Sequence, residues 1–547
     1  MFGLKGAYFY LVAAQITFIK FFKKIYFSTN HYNKSLKSKI PLQVYYNPNP
    51  FLLSIISPYT KKSFQMSGIN PNDFWLEGRN KNLKEQHNFL WLSLVDKKIN
   101  TKNIQQIIYL WMLKFSNFKK SVWETSTLST RLISWMLNVD IIINNGTFEF
   151  KKNFFENIIL QCNHLKRNIT FEKDLSKRLE ILTALILSGI VFKEYKGNYD
   201  FGIKELEKFA KYNFDDDGFP LTRSPNDLIY FSKLFLLCYE NIKDAQQYIP
   251  EFLDDIIKKN LDCIRFFQTP HNQVPLFNGA SEENLDHFEK YLEDFKVKKK
   301  NVKNSIGGIF FTKSRHQILY FDIGCPPVKK FSKNYQSGPL SFEYYQDGIK
   351  IITNCGFGKK ISRKAELISR LTASQSTLTI NDTSITKFER NKLINRVFGN
   401  SIKNTFKTNG LIIKNDKILS GCSIFHDGYL KNFKCIHKRE IYLDHENNKL
   451  KGVDHILKKS DGLPVKYVFR FHLNPELSAV KTISGNSALI QISKNKSLIF
   501  TIKDENLEIE KSIYLGGGKI LDNACITVSG NLVNKDKSFY WEIKKKI

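Results

Sequence analysis

A chain of 547 residues with 42% hydrophobic and 25% charged residues is too long for one hydrophobic core and too apolar for wholesale disorder, so two folded domains are expected. The formal net charge of +31 points to polyanionic partners (acidic polysaccharide, nucleic acid or an anionic membrane surface) and excludes a preference for basic ones. Lysine is spread along the whole chain beside Asn and Ile, so compositional bias stands beside a dedicated binding face as the origin of that charge.

At the N-terminus, Gly6–Ile19 is apolar and flanked by Lys5 and by Lys20, Lys23 and Lys24. Gln15 interrupts the run, it is short for a spanning helix, and no small-x-small cleavage site precedes the basic residues. The expectation is a helix on a membrane surface or packed on the protein, rather than a cleaved signal. From about Asn88 to Glu293, apolar residues recur at helical spacing, as in Ile104–Phe115, Leu128–Ile143, Phe154–Cys162, Leu179–Phe192, Leu228–Tyr239 and Phe252–Phe267. Short polar connections such as Asn144-Asn145-Gly146 predict antiparallel neighbours. Trp75, Trp91, Trp111, Trp123 and Trp135 fall in or near this region, either as helix packing or as flat platforms for sugar rings.

The basic stretch Lys296–Asn304 ends the helical period. Beyond it the chain reads as strands: Gly308–Lys313, Gln317–Asp322, Ser376–Ile380, Ile424–Tyr429, Arg439–Asp444, Lys449–His455, Val465–His472, Ala488–Ile492, Ser497–Ile502 and Glu508–Leu515. Strands at this density predict an antiparallel β-sandwich. The expected organisation is 1–87 N-terminal extension and first helices, 88–295 helical domain, 296–304 basic linker and 305–547 sandwich. Eight scattered cysteines without CxxC spacing predict buried free thiols and leave the compartment open.

Within the sandwich, Leu340–Tyr344 and Ile349–Thr353 flank Asp347-Gly348 and predict a hairpin, with the polar run Asn334–Gly338 at its mouth. Leu340-Ser341-Phe342-Glu343 followed by Ile351-Ile352-Thr353-Asn354-Cys355-Gly356 resembles the central hairpin of the heparinase II/III-like polysaccharide lyases. Further matches fall in order: Arg223-Ser224-Pro225 before a helix, Leu276-Phe277-Asn278-Gly279, Thr372-Ala373 before a strand, and His426-Asp427-Gly428-Tyr429. The resemblance implies an incomplete (α/α) toroid followed by an antiparallel β-sandwich. It also implies β-elimination on a uronic-acid polysaccharide, which requires a neutralised carboxylate, a base for the C5 proton and a donor for the leaving oxygen.

The family's usual groups are replaced here. Where the family has two histidines at the hairpin mouth stand Asn334, a candidate at the catalytic position, and Gln336, a candidate substrate contact, and neither titrates. Its toroid Tyr falls on Asp227 and its Asn-His pair on Ser176-Lys177. Tyr230, one helical turn after Asp227, is a candidate replacement base, and Asp227 a candidate base or sugar ligand. Arg223 is expected to grip a carboxylate or sulfate, or else to cap a helix or pair with Asp216 or Asp217. Lys177 is expected to neutralise an acidic group and Asn278 to bind a sugar hydroxyl. The zinc-ligand positions carry Gln336, Asn354 and Gln375, whose amides suit zinc poorly, so no metal and no cofactor are expected. The three amides are expected either to bond to one another or to face water.

Two readings stand. One is a lyase acting on an acidic polysaccharide or oligosaccharide. The other is a catalytically degenerate protein that binds acidic glycan beside envelope-polysaccharide assembly. No specific nucleic-acid module is visible. Membrane contact rests on the N-terminal segment, and the sequence carries no signal for an oligomeric state. The resemblance implies the cell envelope or periplasm, with the cytoplasm as the alternative.

Overall fold

The computed structural model describes residues 4–59, 70–75, 83–95, 97–298, 303–459, 464–533 and 535–546. Of the expected basic linker, 299–302 lie outside the described residues. The chain divides into two compact units, residues 1–213 with 229–258, and residues 214–228 with 259–547.

The first unit is helical. Its longer helices are Leu4–Phe27, Lys97–Phe115, Thr125–Leu137, Phe148–Asn168, Leu175–Val191 and Lys196–Asn213. The helix expected over Leu128–Ile143 is broken at Asn138, whose side chain donates to the Ser134 carbonyl (2.8 Å) and competes with the helix's own ladder. All six tryptophans of the chain are buried. Trp111 and Trp135 meet edge to face at 5.0 Å, with the Arg131 guanidinium 4.5 Å from the Trp111 ring. Packing, not a sugar platform, is what these rings do here.

The second unit holds, among the described residues, two antiparallel sheets of nine and eight strands. The hairpin forms, its first strand lying two residues later than expected: Phe342–Gln346 pairs with Ile349–Thr353, and Asp347 (φ 50°) and Gly348 (φ 81°) close it with both central residues in the left-handed region. Inward-facing residues of both sheets share one core, in which Trp541 stacks on Phe342 at 5.6 Å. A buried network fastens the strand Cys435–Asp444 to the region of the hairpin mouth. Arg439 donates to both carboxylate oxygens of Asp454 (2.6 and 3.1 Å) and to the carbonyls of Leu340 (2.7 Å) and Ser376 (2.9 Å). His437 and Trp541 also bond to Asp454. Burial works to raise that carboxyl, but the Arg439 charge and the His437 hydrogen bond hold it well below the usual range.

Seven of the eight cysteines are buried and Cys325 is exposed. The sequence reading missed the strand Thr408–Asn415, which is exposed along nearly its whole length and so has no apolar alternation to read. It also missed Leu521–Leu532 and Lys537–Lys545.

Candidate functional site

In the second unit, three motifs far apart in sequence meet. The turn Leu276–Ser281 packs on the hairpin mouth, where the Gly279 N–H donates to Gln336 Oε1 (2.9 Å). A Cβ on Gly279 (φ 89°) would lie 2.8 Å from the Asn334 Cβ, so only glycine permits this approach. Ser281 and Asn226 exchange hydrogen bonds (2.9 and 3.3 Å), which brings in the start of the helix Pro225–Asp244. Asp227 lies in the first turn of that helix, its N–H donating to Ser224 Oγ (3.3 Å), where a carboxylate complements the helix dipole. Asn278 Nδ2 and Asn334 Oδ1 are buried without hydrogen-bond partners.

The expected role of Arg223 as a grip for substrate is corrected by its surroundings. It is buried, with a backbone φ of 58°, and donates to the carbonyls of Gly307 (2.9 Å), Gly308 (3.1 Å) and Cys325 (2.8 Å) and to Asp322 Oδ1 (2.6 Å). Cβ atoms on Gly308 and Gly324 would collide with its guanidinium, so these glycines make the slot it fills. The acidic partner is Asp322, not Asp216 or Asp217.

Gln336, expected to contact substrate, is likewise committed to the protein. Besides accepting from Gly279, its Nε2 donates to the carbonyls of Gly356 (3.0 Å) and Ser369 (2.7 Å). Gln375 Nε2 donates to the same Ser369 carbonyl (2.8 Å), and Asn354 Oδ1 accepts from the Ser376 N–H (3.0 Å). Both expectations for the three amides therefore need correction. They are buried rather than solvated, and they bond to the backbone rather than to one another. The zinc implied by the resemblance does not fit this donor set. The side chains are neutral amides whose bonded polar atoms are held by backbone groups. The His426–Asp427 neighbours serve separate turns: Gly428 N–H donates to His426 Nδ1 (3.1 Å) and Lys407 N–H to Asp427 (2.7 Å).

The helical unit holds a second polar cluster, and it gathers two of the expected residues around a carboxyl that sequence reasoning missed. Lys177 and Glu180 lie one turn apart on the helix Leu175–Val191, on one face. Tyr230 donates its hydroxyl to Glu180 Oε1 (2.6 Å), and Lys177 is ion-paired with Glu124, which caps the helix Thr125–Leu137. Lys177 is thus no unpaired point charge. Burial pushes the Glu180 carboxyl up to about 7, against the hydrogen bonds from Tyr230 and Ser126. Burial and the Glu180 charge push the Tyr230 phenol well above its ordinary value, so Tyr230 stands protonated and Glu180 is the member of the pair that titrates near neutral pH. This corrects the reading of Tyr230 as a base by itself. The available signal for Glu180 was a carboxylate inside the apolar run Leu179–Leu187. A pocket of about 380 Å³ in the same unit, lined by Asn33, Lys37, Trp123, Glu156 and Asn157 among others, shares none of these four side chains.

A helical unit together with paired antiparallel sheets is the toroid-plus-β-sandwich fold. Residues 303–542 match the family model "Heparinase II/III-like, C-terminal", so the β-sandwich is a heparinase II/III-like C-terminal domain, in line with the motifs. Among solved structures, the heparan sulfate lyase HepC from Pedobacter heparinus is similar at 14% identity, covering 91% of this chain and 82% of that one with a TM-score of 0.62. A structure of heparinase III aligns at 14% identity over 84% of this chain and 76% of its own, TM-score 0.64. Another heparinase III gives 12% identity over 91% and 83%, TM-score 0.66. At these identities the likeness establishes the fold. No match was found among curated protein sequences.

Proposed function

We propose that this protein cleaves an acidic, uronic-acid-containing polysaccharide by β-elimination, with Tyr230 and Glu180 as its proton-handling couple. The observation that carries the reading is the 2.6 Å hydrogen bond from a protonated phenol to a buried carboxylate poised near neutrality. Such a couple relays a proton: as the phenol oxygen takes the C5 proton, its own proton passes to Glu180. The C5–H electrons form the C4–C5 double bond, and the C4–O4 bond breaks. The proton held by Glu180 returns through Tyr230 to the departing oxygen. Lys177, one turn away and paired through one ammonium proton, retains two donors toward the uronate carboxylate. The fold shared with a heparan sulfate lyase and a heparinase III supports the substrate class.

The test is ultraviolet absorbance of unsaturated uronate during incubation with a panel of acidic polysaccharides. The signal should appear for at least one substrate, rise with pH through about 7 as Glu180 ionises, and vanish in Glu180→Gln and Tyr230→Phe. A second reading is a glycan-binding protein without catalysis, favoured by Asn334 and Gln336 in place of histidines and by the enclosure of Arg223. Retention of a polysaccharide with no chromophore formed selects that reading.

A further inference from the structure

The pocket of about 380 Å³ in the helical unit plays no part in the chemistry above. It lies among the helices Asn30–Ser35, Lys97–Phe115 and Phe148–Asn168, and its volume falls within the roughly 300–1,000 Å³ of small-molecule sites. The lining grades from buried side chains, Leu36, Met112, Trp123 and Asn157, to exposed ones, Asn30, Lys34, Tyr109 and Asn117. Five of its fifteen lining residues are asparagines, so neutral amides supply most of its polar groups.

Asn157 is only 7% exposed. Its Nδ2 donates to the Asn153 carbonyl one turn earlier (2.9 Å), which fixes the orientation of the amide, and its Oδ1 is buried without a hydrogen-bond partner. A buried acceptor left so is destabilising, and a ligand that brings a donor removes the penalty. The side-chain amides of Asn30, Asn117 and Asn153 make no hydrogen bond among the described residues. Lys37 is paired with Glu156 (2.9 Å), whereas Lys34 is exposed and meets no carboxylate among the described residues, so the lining carries one uncompensated positive charge.

These features select a ligand. An amide offers a donor and an acceptor side by side, which suits hydroxyls, since each hydroxyl both gives and accepts. A purely apolar ligand would leave the amides unpaired, and a bare multivalent anion would meet only one free cation. A sugar acid satisfies all of it, with hydroxyls for the amides, C–H surface for Leu36 and Met112, and a carboxylate for Lys34. We propose that this pocket is a second glycan site, one that holds an acidic sugar unit through Asn157, Asn153, Asn117 and Lys34 apart from the Tyr230–Glu180 couple. The inference stands on the pocket's own side chains and holds whether or not the chain performs elimination.

Saturation-transfer NMR on the full chain, with D-glucuronate and methyl D-glucopyranoside as probes, tests it. Neither probe carries a glycosidic bond at O4, so the outcome is independent of elimination. Both sugars should bind, glucuronate at least threefold more tightly. Lys34→Glu, at an exposed position, should weaken glucuronate at least fivefold and leave the neutral glycoside within twofold. Asn157→Leu should weaken both at least fivefold, and Asn117→Leu carries the same direction for both if Asn157→Leu does not fold. Transfer to neither sugar, equal affinity for the two, glucuronate affinity unmoved by Lys34→Glu, or binding abolished by Lys177→Ala with Tyr230→Phe would overturn the proposal.

Discussion

Glu180 and Arg223 show what a residue's neighbours do to its meaning. Glu180 sits in an apolar helix face, and its carboxyl is held up at about 7 from an ordinary 4.5. A raised carboxyl favours the folded state below the unfolded value, and that contribution is lost as pH rises through 7. Glu180→Gln is therefore expected to remove a few kcal/mol of pH-dependent instability between about pH 5 and 8 while abolishing elimination. Denaturant unfolding at the two pH values checks the first part, and a stability slope unchanged by the variant would refute it. Arg223 carries the opposite expectation. Its removal leaves Asp322 charged and enclosed, so Arg223→Ala should cost about 3–5 kcal/mol of stability, and Arg223→Lys should recover little of it for want of the planar fork. Urea titration measures this, and a fully stable Arg223→Ala would contradict it. The position of Arg223 was legible in the Arg-Ser-Pro motif. Its role was not, because Asp322 lies 99 residues away and no local spacing announces the pairing.

At the scale of elements, legibility followed burial. Helices and strands with one apolar face were readable, and the Asp347-Gly348 turn was readable because two consecutive positive φ values select those residue types. Thr408–Asn415 escaped because solvent bathes it, and the broken helix at Asn138 escaped because its interruption is a side-chain hydrogen bond within an unbroken apolar period. The hairpin mouth was located, but not the manner of its fastening. Gln336 ties three separate segments, at Gly279, Gly356 and Ser369. Gln336→Ala should destabilise by roughly 1–3 kcal/mol through the backbone groups it strands. Adding zinc to the native chain should leave its thermal midpoint unmoved, whereas a saturable rise would restore a metal to this place. Close by, His472 is neutral: its Nε2–H donates to Ala373 O (3.1 Å) and its Nδ1 accepts from Ser512 (3.0 Å). Burial lowers it to about 4, so the stability it contributes is complete above about pH 6.5 and falls away as the pH drops toward 4. In His472→Gln that segment of the acid-unfolding curve should flatten, and an unaltered curve would assign the slope to other groups.

Over the whole molecule, the net charge of +31 is distributed over both units, with many lysines already facing carboxylates, as Lys208 faces Glu205 and Lys451 faces Asp444. Association with any soluble polyanion is accordingly expected to be strong at low ionic strength and to weaken steeply toward physiological salt, since exposed charges are screened within about 8 Å there. Binding isotherms for one acidic polysaccharide at two salt concentrations check this, and a salt-independent affinity would point to an enclosed site that dispersed lysines do not provide. The distribution of thiols has a practical side. With seven sulfurs enclosed and Cys325 at the surface, a maleimide dye should attach at one position without any cysteine being engineered away. Because the carbonyl of that same residue receives the Arg223 guanidinium, the dye would sit beside the clamp as a fluorescent reporter of its loosening.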